Sequence, residues 1–167
     1  MADTPKAANG RVRSALTLAF AGGSSLFAAL MVHEFYVFGA ATHDLIGSSS
    51  APCTEPPCLT TGVVVSGQIA KAIGAAMVFG IIGAIWHHGA LRWMTAAGFW
   101  VLQYTWSLVG IASGYRLHFG TSWAWWEPFA ELVWNPITTP GLLAAGLVAF
   151  VGLDRLLRPA PRPFGTA

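Results

Sequence analysis

Polar residues thin out four times along this chain, at about residues 15–41, 61–86, 93–114 and 137–157. Each apolar stretch matches the roughly 20 residues that a helix needs to cross the hydrocarbon of a bilayer. The polar segments between them are short. The turn His87-His88-Gly89-Ala90-Leu91-Arg92 leaves the second and third stretches no choice but to pack as antiparallel neighbours. Pro140 falls in the first turn of the fourth, where a missing N–H costs little. The pattern predicts an all-α membrane protein: an antiparallel bundle of four transmembrane helices forming a single domain over 15–157, with short tails at 1–14 and 158–167.

Composition agrees. With 54% hydrophobic and only 10% charged residues, the chain is too apolar for a soluble domain of its length. The positions of the cations then give an orientation. Lys6, Arg11, Arg13, Arg92, Arg155, Arg158 and Arg162 all fall on one side of a four-span layout, against Arg116 alone on the other. The positive-inside rule places both termini in the cytoplasm of an inner-membrane protein. The net charge of +2 is thereby a topology signal and not a nucleic-acid footprint. The first apolar run is too long for a secretory h-region, so it is expected to remain as the first span.

The segment Thr121 to Pro136 stands apart. Pro128 suits the first position of a short helix, and Asn135-Pro136 ends it. Phe129, Leu132 and Val133 share a face at helical spacing, while Glu131 points to water. Trp123, Trp125, Trp126 and Trp134, with Glu127 among them, make this a helix lying flat on the outer membrane surface. It serves either as aromatic anchoring or as a lid or docking surface.

Ionisable groups at membrane depth are functional hypotheses by default. His33 and Glu34 lie in the first stretch and Lys71 in the second. Taking Phe27, Gly74 and Leu102 as mid-span, His33 and Glu34 fall roughly 9–10 Å outward, Lys71 about 4–5 Å and Gln68 about 9 Å. Gln103, Tyr104 and Ser107 lie in the same outer half. Gly67, Gln68, Lys71, Gly74 and Ala75 form one stripe, and Gln103, Ser107, Gly110 and Gly114 another, so close helix approach is expected along both. His33 shares a stripe with Gly22 and Ala29 and faces inward. Glu34 is turned about 100° from it, which disfavours a shared metal. No metal site is predicted, and the sequence leaves the cofactor, if any, unidentified. One reading is an ion pair of Glu34 with Lys71, supported by Gln68 and Gln103. The other is a proton relay or a polar-ligand or quinone site. His87 and His88 read as solvated turn residues.

Cys53 and Cys58 fall in the first outer loop, where an oxidising compartment favours a disulfide. The architecture is similar to that of the four-span disulfide-generating quinone oxidoreductases, but those carry a cysteine pair in each of two outer loops, and the second loop here has none. A bis-histidine cytochrome needs paired histidines on facing spans, and the third and fourth stretches contain none. Two function classes follow. The first is a small membrane subunit or binding module that holds a partner membrane protein or lipid-soluble ligand, among membrane lipids and other subunits or copies of itself. The second is a membrane enzyme or proton-coupled transporter using Glu34, Lys71 and His33.

Overall fold

The computed structural model describes residues 5–38, 61–86, 89–119, 124, 126–127 and 129–158. Among them the chain is helical apart from short turns, with no strand. Helix α1 spans Pro5–Val32 and widens into a π-helical segment, His33–Phe38. Helix α2 is Thr61–Ile85, α3 is Ala90–Phe119 and α4 is Thr138–Leu157, with a second π-helical turn at Phe129–Val133 between the last two. Among the described residues, three helical stretches are long and apolar enough to cross a membrane: Asn9–Tyr36, Gly62–Ile85 and Thr138–Leu157.

The helix bounds differ from the apolar stretches in ways the chain explains. Pro5, at the first position of α1, is pre-set for helix, and Lys6, Ala7, Ala8 and Arg11 after it are good formers. The helix therefore starts well before the apolar run at Ala15. Helix α3 overshoots its apolar stretch at both ends. Gly89 supplies the φ of +86° that lets the chain turn into α3, a conformation costly for any residue with a Cβ.

Helix α1 occupies the centre, packing most extensively on α2 and then on α4. Close approach rests on glycines. A Cβ on Gly22 would overlap the Phe79 ring, and one on Gly83 would sit 2.6 Å from the Ser14 carbonyl. A Cβ on Gly146 of α4 would overlap the Trp100 indole. The expected stripes are not where this happens: Gly67, Gly74 and Gly110 have open space at the Cβ position. They lie beside the buried residues of their helices and not on the line of contact. The glycines that matter are those facing large aromatics, because a ring fills the volume a side chain would have taken.

Those aromatics form the core. Phe79 lies against Gly22 and meets Phe99 at 5.0 Å and Phe150 at 5.5 Å between ring centres. Trp100 fills the gap over Gly146, stacks on Tyr104 at 5.3 Å, and donates its indole N–H to Ser25 Oγ at 3.0 Å. Both Trp100 and Tyr104 are fully buried. An outward apolar surface surrounds this core, with Leu16 and Phe20 on α1, Met77 and Ile81 on α2, Leu102 and Trp106 on α3, and Val148 on α4 all exposed.

Gly146→Ala should therefore lower stability by about 1–3 kcal/mol through overpacking against Trp100. Combining it with Trp100→Phe should cost less than the sum of the two single changes. Thermal unfolding of the four proteins in detergent measures this. Additive losses would mean that Trp100 does not occupy the Gly146 gap.

Candidate functional site

The polar groups of the α1 C-terminal end meet α2, α3 and the second π-turn, and local backbone geometry decides which meets which. The Phe129–Val133 turn follows the π pattern, with Trp134 N–H donating to the Phe129 carbonyl at 2.8 Å. Asn135 then starts α4: its Oδ1 accepts the N–H groups of Ile137 at 3.0 Å and Thr138 at 2.9 Å, while its own N–H donates to Thr139 Oγ1 at 2.9 Å. Pro136 has no N–H to give. The Val133 carbonyl is thus passed over by the backbone donors that follow it.

His33 takes that carbonyl. Its Nε2 lies 2.8 Å from Val133 O, and its Nδ1 lies 2.8 Å from the Tyr104 hydroxyl. A carbonyl only accepts, so Nε2 carries the proton. In the neutral ring Nδ1 is then the acceptor, and Tyr104 donates to it. His33, Tyr104 and Val133 are all fully buried. This clasp joins α1 to α3 and to the turn before α4. Val133 is packed inward where Glu131 is exposed, so the turn docks onto the bundle through Val133 as well as presenting aromatics outward. The sequence placed Val133 on the apolar face correctly but carries no signal of its carbonyl's role.

Glu34, one residue on, turns to α2. It is buried and accepts a short hydrogen bond from Gln68 Nε2. Lys71, one turn along α2 from Gln68, is half-buried and close enough to feel the charge of Glu34. Adjacent residues thus serve different helices, His33 facing α3 and Glu34 facing α2, within the widened turn. Such π-helical segments recur at functional sites.

Two atoms in this region are unsatisfied. Gln68 Oε1 and Ser107 Oγ are buried without a hydrogen-bond partner among the described residues. Ser107, like Ser14 on α1, departs from the pattern of the other hydroxyls. Ser24, Thr105 and Ser113 turn their hydroxyls onto carbonyls of their own helices at 2.6, 2.6 and 2.9 Å, the ordinary way to quiet a hydroxyl in apolar surroundings. Ser107 does not, although it is only 2% exposed. It lies three residues from Tyr104, on the same face of α3. Gln103 is half-buried on the adjoining face.

Further along the same two helices an open groove of about 390 Å³ lies between α1 and α2, and none of the polar cluster lines it. Gly23, Ala72 and Ala76 form its floor, and Phe20, Phe27 and Ile73 its walls. Phe20, Gly23, Phe27 and Glu34 follow helical spacing along one stripe of α1, and Gln68 lies one turn from Ala72 on α2. The groove therefore leads toward the carboxylate–carboxamide pair.

The remaining sequence candidates divide. Trp126 and Trp134 are exposed, while Glu127 bends back on its own turn, its Oε2 accepting the Ala124 N–H at 2.7 Å. Trp123, Trp125, Cys53, Cys58, His87 and His88 lie outside the described residues. No group of three metal-ligating side chains occurs among the described residues. At the opposite end of the bundle is a cluster that sequence reasoning missed. Arg92 forms a two-pronged salt bridge with Asp154, at 2.9 and 2.7 Å, and both are buried. From the sequence alone Arg92 reads as a loop cation. The available signal was Asp154 itself, the one acid in the fourth apolar stretch.

No known family, curated protein or solved structure matches this chain.

Loss of the Tyr104 hydroxyl in Tyr104→Phe should destabilise the bundle by about 1–2 kcal/mol, since His33 Nδ1 is left buried and unpaired. His33→Phe should cost more, because it also leaves the Val133 carbonyl with only the long bond from Thr139 Oγ1 at 3.5 Å. In a double-mutant cycle the two changes should couple by at least about 0.5 kcal/mol. Thermal unfolding in detergent gives the values, and zero coupling would dissolve the clasp.

Proposed function

We propose that this protein is a small four-span membrane subunit or binding module that holds a lipid-soluble ligand. The polar cluster of Glu34, Gln68, Lys71 and Ser107 receives the ligand's head, and the α1–α2 groove receives its apolar chain. The observation that carries the reading is the pair of buried, unpartnered atoms, Gln68 Oε1 and Ser107 Oγ. An unsatisfied polar atom in an apolar interior costs about 1–3 kcal/mol, so leaving two of them is a standing loss unless something completes them. Gln68 Oε1 requires a donor, and Ser107 Oγ serves as donor or acceptor. A head bearing both functions, such as a quinone–quinol ring, matches that set. Alignment of the groove with the Glu34–Gln68 pair along the same stripes of α1 and α2 supports one molecule bearing both parts.

Proton transfer through His33 is less well supported. Both its ring nitrogens are engaged, away from Glu34 and Lys71. It positions the turn that carries Glu34.

The surface of α3 supports reading this helix as a fourth span. Its average hydropathy is lowered by Thr, Ser, Tyr, Trp and Gln, yet Arg92, Tyr104 and Ser107 are buried while Leu91, Met94, Leu102, Trp106 and Val109 face outward. A helix that hides its polar groups and exposes apolar ones is suited to lipid. With the arginine asymmetry, the His33 end is outer and both termini lie on the cytoplasmic side of the inner membrane. Trp126 and Trp134 then sit at the outer interface.

The topology has a direct test. A cytoplasm-active reporter should function when fused after Leu157, and a periplasm-active reporter when inserted near Ser49. The reverse at either point overturns the four-span arrangement.

The ligand reading has its own. Detergent-purified protein should melt several degrees higher with a decyl-chain benzoquinone or its quinol in excess over Kd, about 2–3 kcal/mol at a hundredfold excess. The Glu34→Gln, Lys71→Met double variant and Gln68→Leu should fold but lose that shift. Absence of any shift in the parent, together with no amphiphile carried through purification, would reject the site.

A further inference from the structure

At the other end of the bundle, the structure assigns a second site, independent of the first: the corner between the start of α3 and the end of α4 binds the phosphate head of an anionic phospholipid. The argument begins with charge. Asp154 is fully buried and is shared by two guanidinium groups. Arg92 holds it through Nη1 and Nη2 at 2.9 and 2.7 Å, and Arg158, one turn further along α4, reaches Oδ2 at 2.6 Å. Two cations against one carboxylate leave a surplus positive charge. Arg92 is only 1% exposed, so water does little to solvate it, and its Nε is buried with no hydrogen-bond partner among the described residues. A buried guanidinium with an unused N–H is incomplete in hydrogen bonding as well as in charge.

The surroundings identify what completes it. The Trp93 ring lies beneath both guanidinium groups, 5.4 Å from that of Arg92 and 4.9 Å from that of Arg158. Aromatic contact fixes the planes of the two forks, which favours planar, multi-point recognition of an oxyanion over a loose counter-ion. Arg158 is about one-third exposed and opens the corner to the outside. The same two helix ends also carry exposed apolar side chains, Leu91 and Met94 on α3 and Leu156 on α4. An anion approaching here meets side chains suited to acyl chains. The phosphodiester of a lipid therefore fits better than a free phosphate, and basic pockets between helices at the cytoplasmic interface commonly take such heads.

Arg155 provides the control. It lies on α4 one turn before Arg158 bonds back to its carbonyl at 3.3 Å, carries the same charge, and is exposed outside the Asp154 cluster. A general attraction between a basic end and an anionic surface treats Arg155 and Arg158 alike. A built site does not.

Detergent-purified full-length protein is titrated with phosphatidylglycerol, phosphatidylcholine and inorganic phosphate, followed by thermal unfolding and by mass spectrometry of the intact protein–lipid complex. Phosphatidylglycerol alone is expected to stabilise the parent and to remain bound as a defined adduct. In Arg158→Gln the concentration giving half the stabilisation should rise about tenfold, the loss of roughly one charged hydrogen bond, while Arg155→Gln shifts it less than about twofold. Arg158→Gln keeps the Arg92–Asp154 pair and so remains folded. Arg158→Lys, with charge but no fork, should fall between the two. Equal losses in Arg155→Gln and Arg158→Gln, equal stabilisation by phosphatidylcholine, or full reproduction by inorganic phosphate would each overturn the proposal.

Discussion

Polar side chains in this bundle have no bulk solvent to fall back on, and the architecture follows from where each finds a partner. In apolar surroundings a donor or acceptor must be met by protein, or turned onto its own helix backbone. The hydroxyls of Ser24, Thr105 and Ser113 take the second route and impose nothing on packing. His33, Glu34, Arg92 and Trp100 take the first, and each ties two elements together. The His33 clasp fixes α1 against α3 and the turn before α4, while the Arg92–Asp154 pair fixes α3 against α4 at the other end. Between them the aromatics have only to fill space, which they do against Gly22 and Gly146.

The four helices were legible because length and hydropathy report directly on burial in lipid. The predicted second and fourth stretches, 61–86 and 137–157, meet the helices Thr61–Ile85 and Thr138–Leu157 almost residue for residue. The first and third were less well bounded, since a helix can continue past its apolar portion. Convergence of His33, Glu34 and Gln68 followed from helical phase and depth, and the structure brings them to one end of the bundle. The glycines misled because a small residue licenses close approach without requiring it. Gly67, Gly74 and Gly110 use no such licence within this chain, whereas Gly22 and Gly146 do. Which glycine faces a ring depends on helix rotation, and helix rotation depends on partners distant in sequence.

Two features were beyond a linear reading for a sharper reason. The Val133 carbonyl accepts from His33 only because Asn135 claims the N–H groups of Ile137 and Thr138, and Pro136 has none. That is a property of backbone bookkeeping over five residues and leaves no compositional trace. The Arg92–Asp154 pair joins residues 62 positions apart. Arg92, seen alone in a short turn, satisfies the positive-inside rule and invites no further explanation. Only the partner acid on α4 shows that it has a second role inside the bundle.

The two ends are completed by different physics, and this separates what each can recognise. At the His33 end the unfinished groups are a carboxamide oxygen and a hydroxyl, whose demands are directional and short-ranged. Discrimination there rests on matching donors to acceptors, and a head lacking one function leaves a buried atom unsatisfied. At the Arg92 end the unfinished quantity is charge, spread over two guanidinium planes held against Trp93. Discrimination there rests on sign and on oxygen geometry, and tolerates variety in whatever the phosphate carries. A ligand suited to one end therefore gains little at the other. His33 and Arg92 share a logic nonetheless: each uses its hydrogen bonds to hold helices together, His33 with both ring nitrogens and Arg92 with its two Nη groups, leaving its Nε–H over.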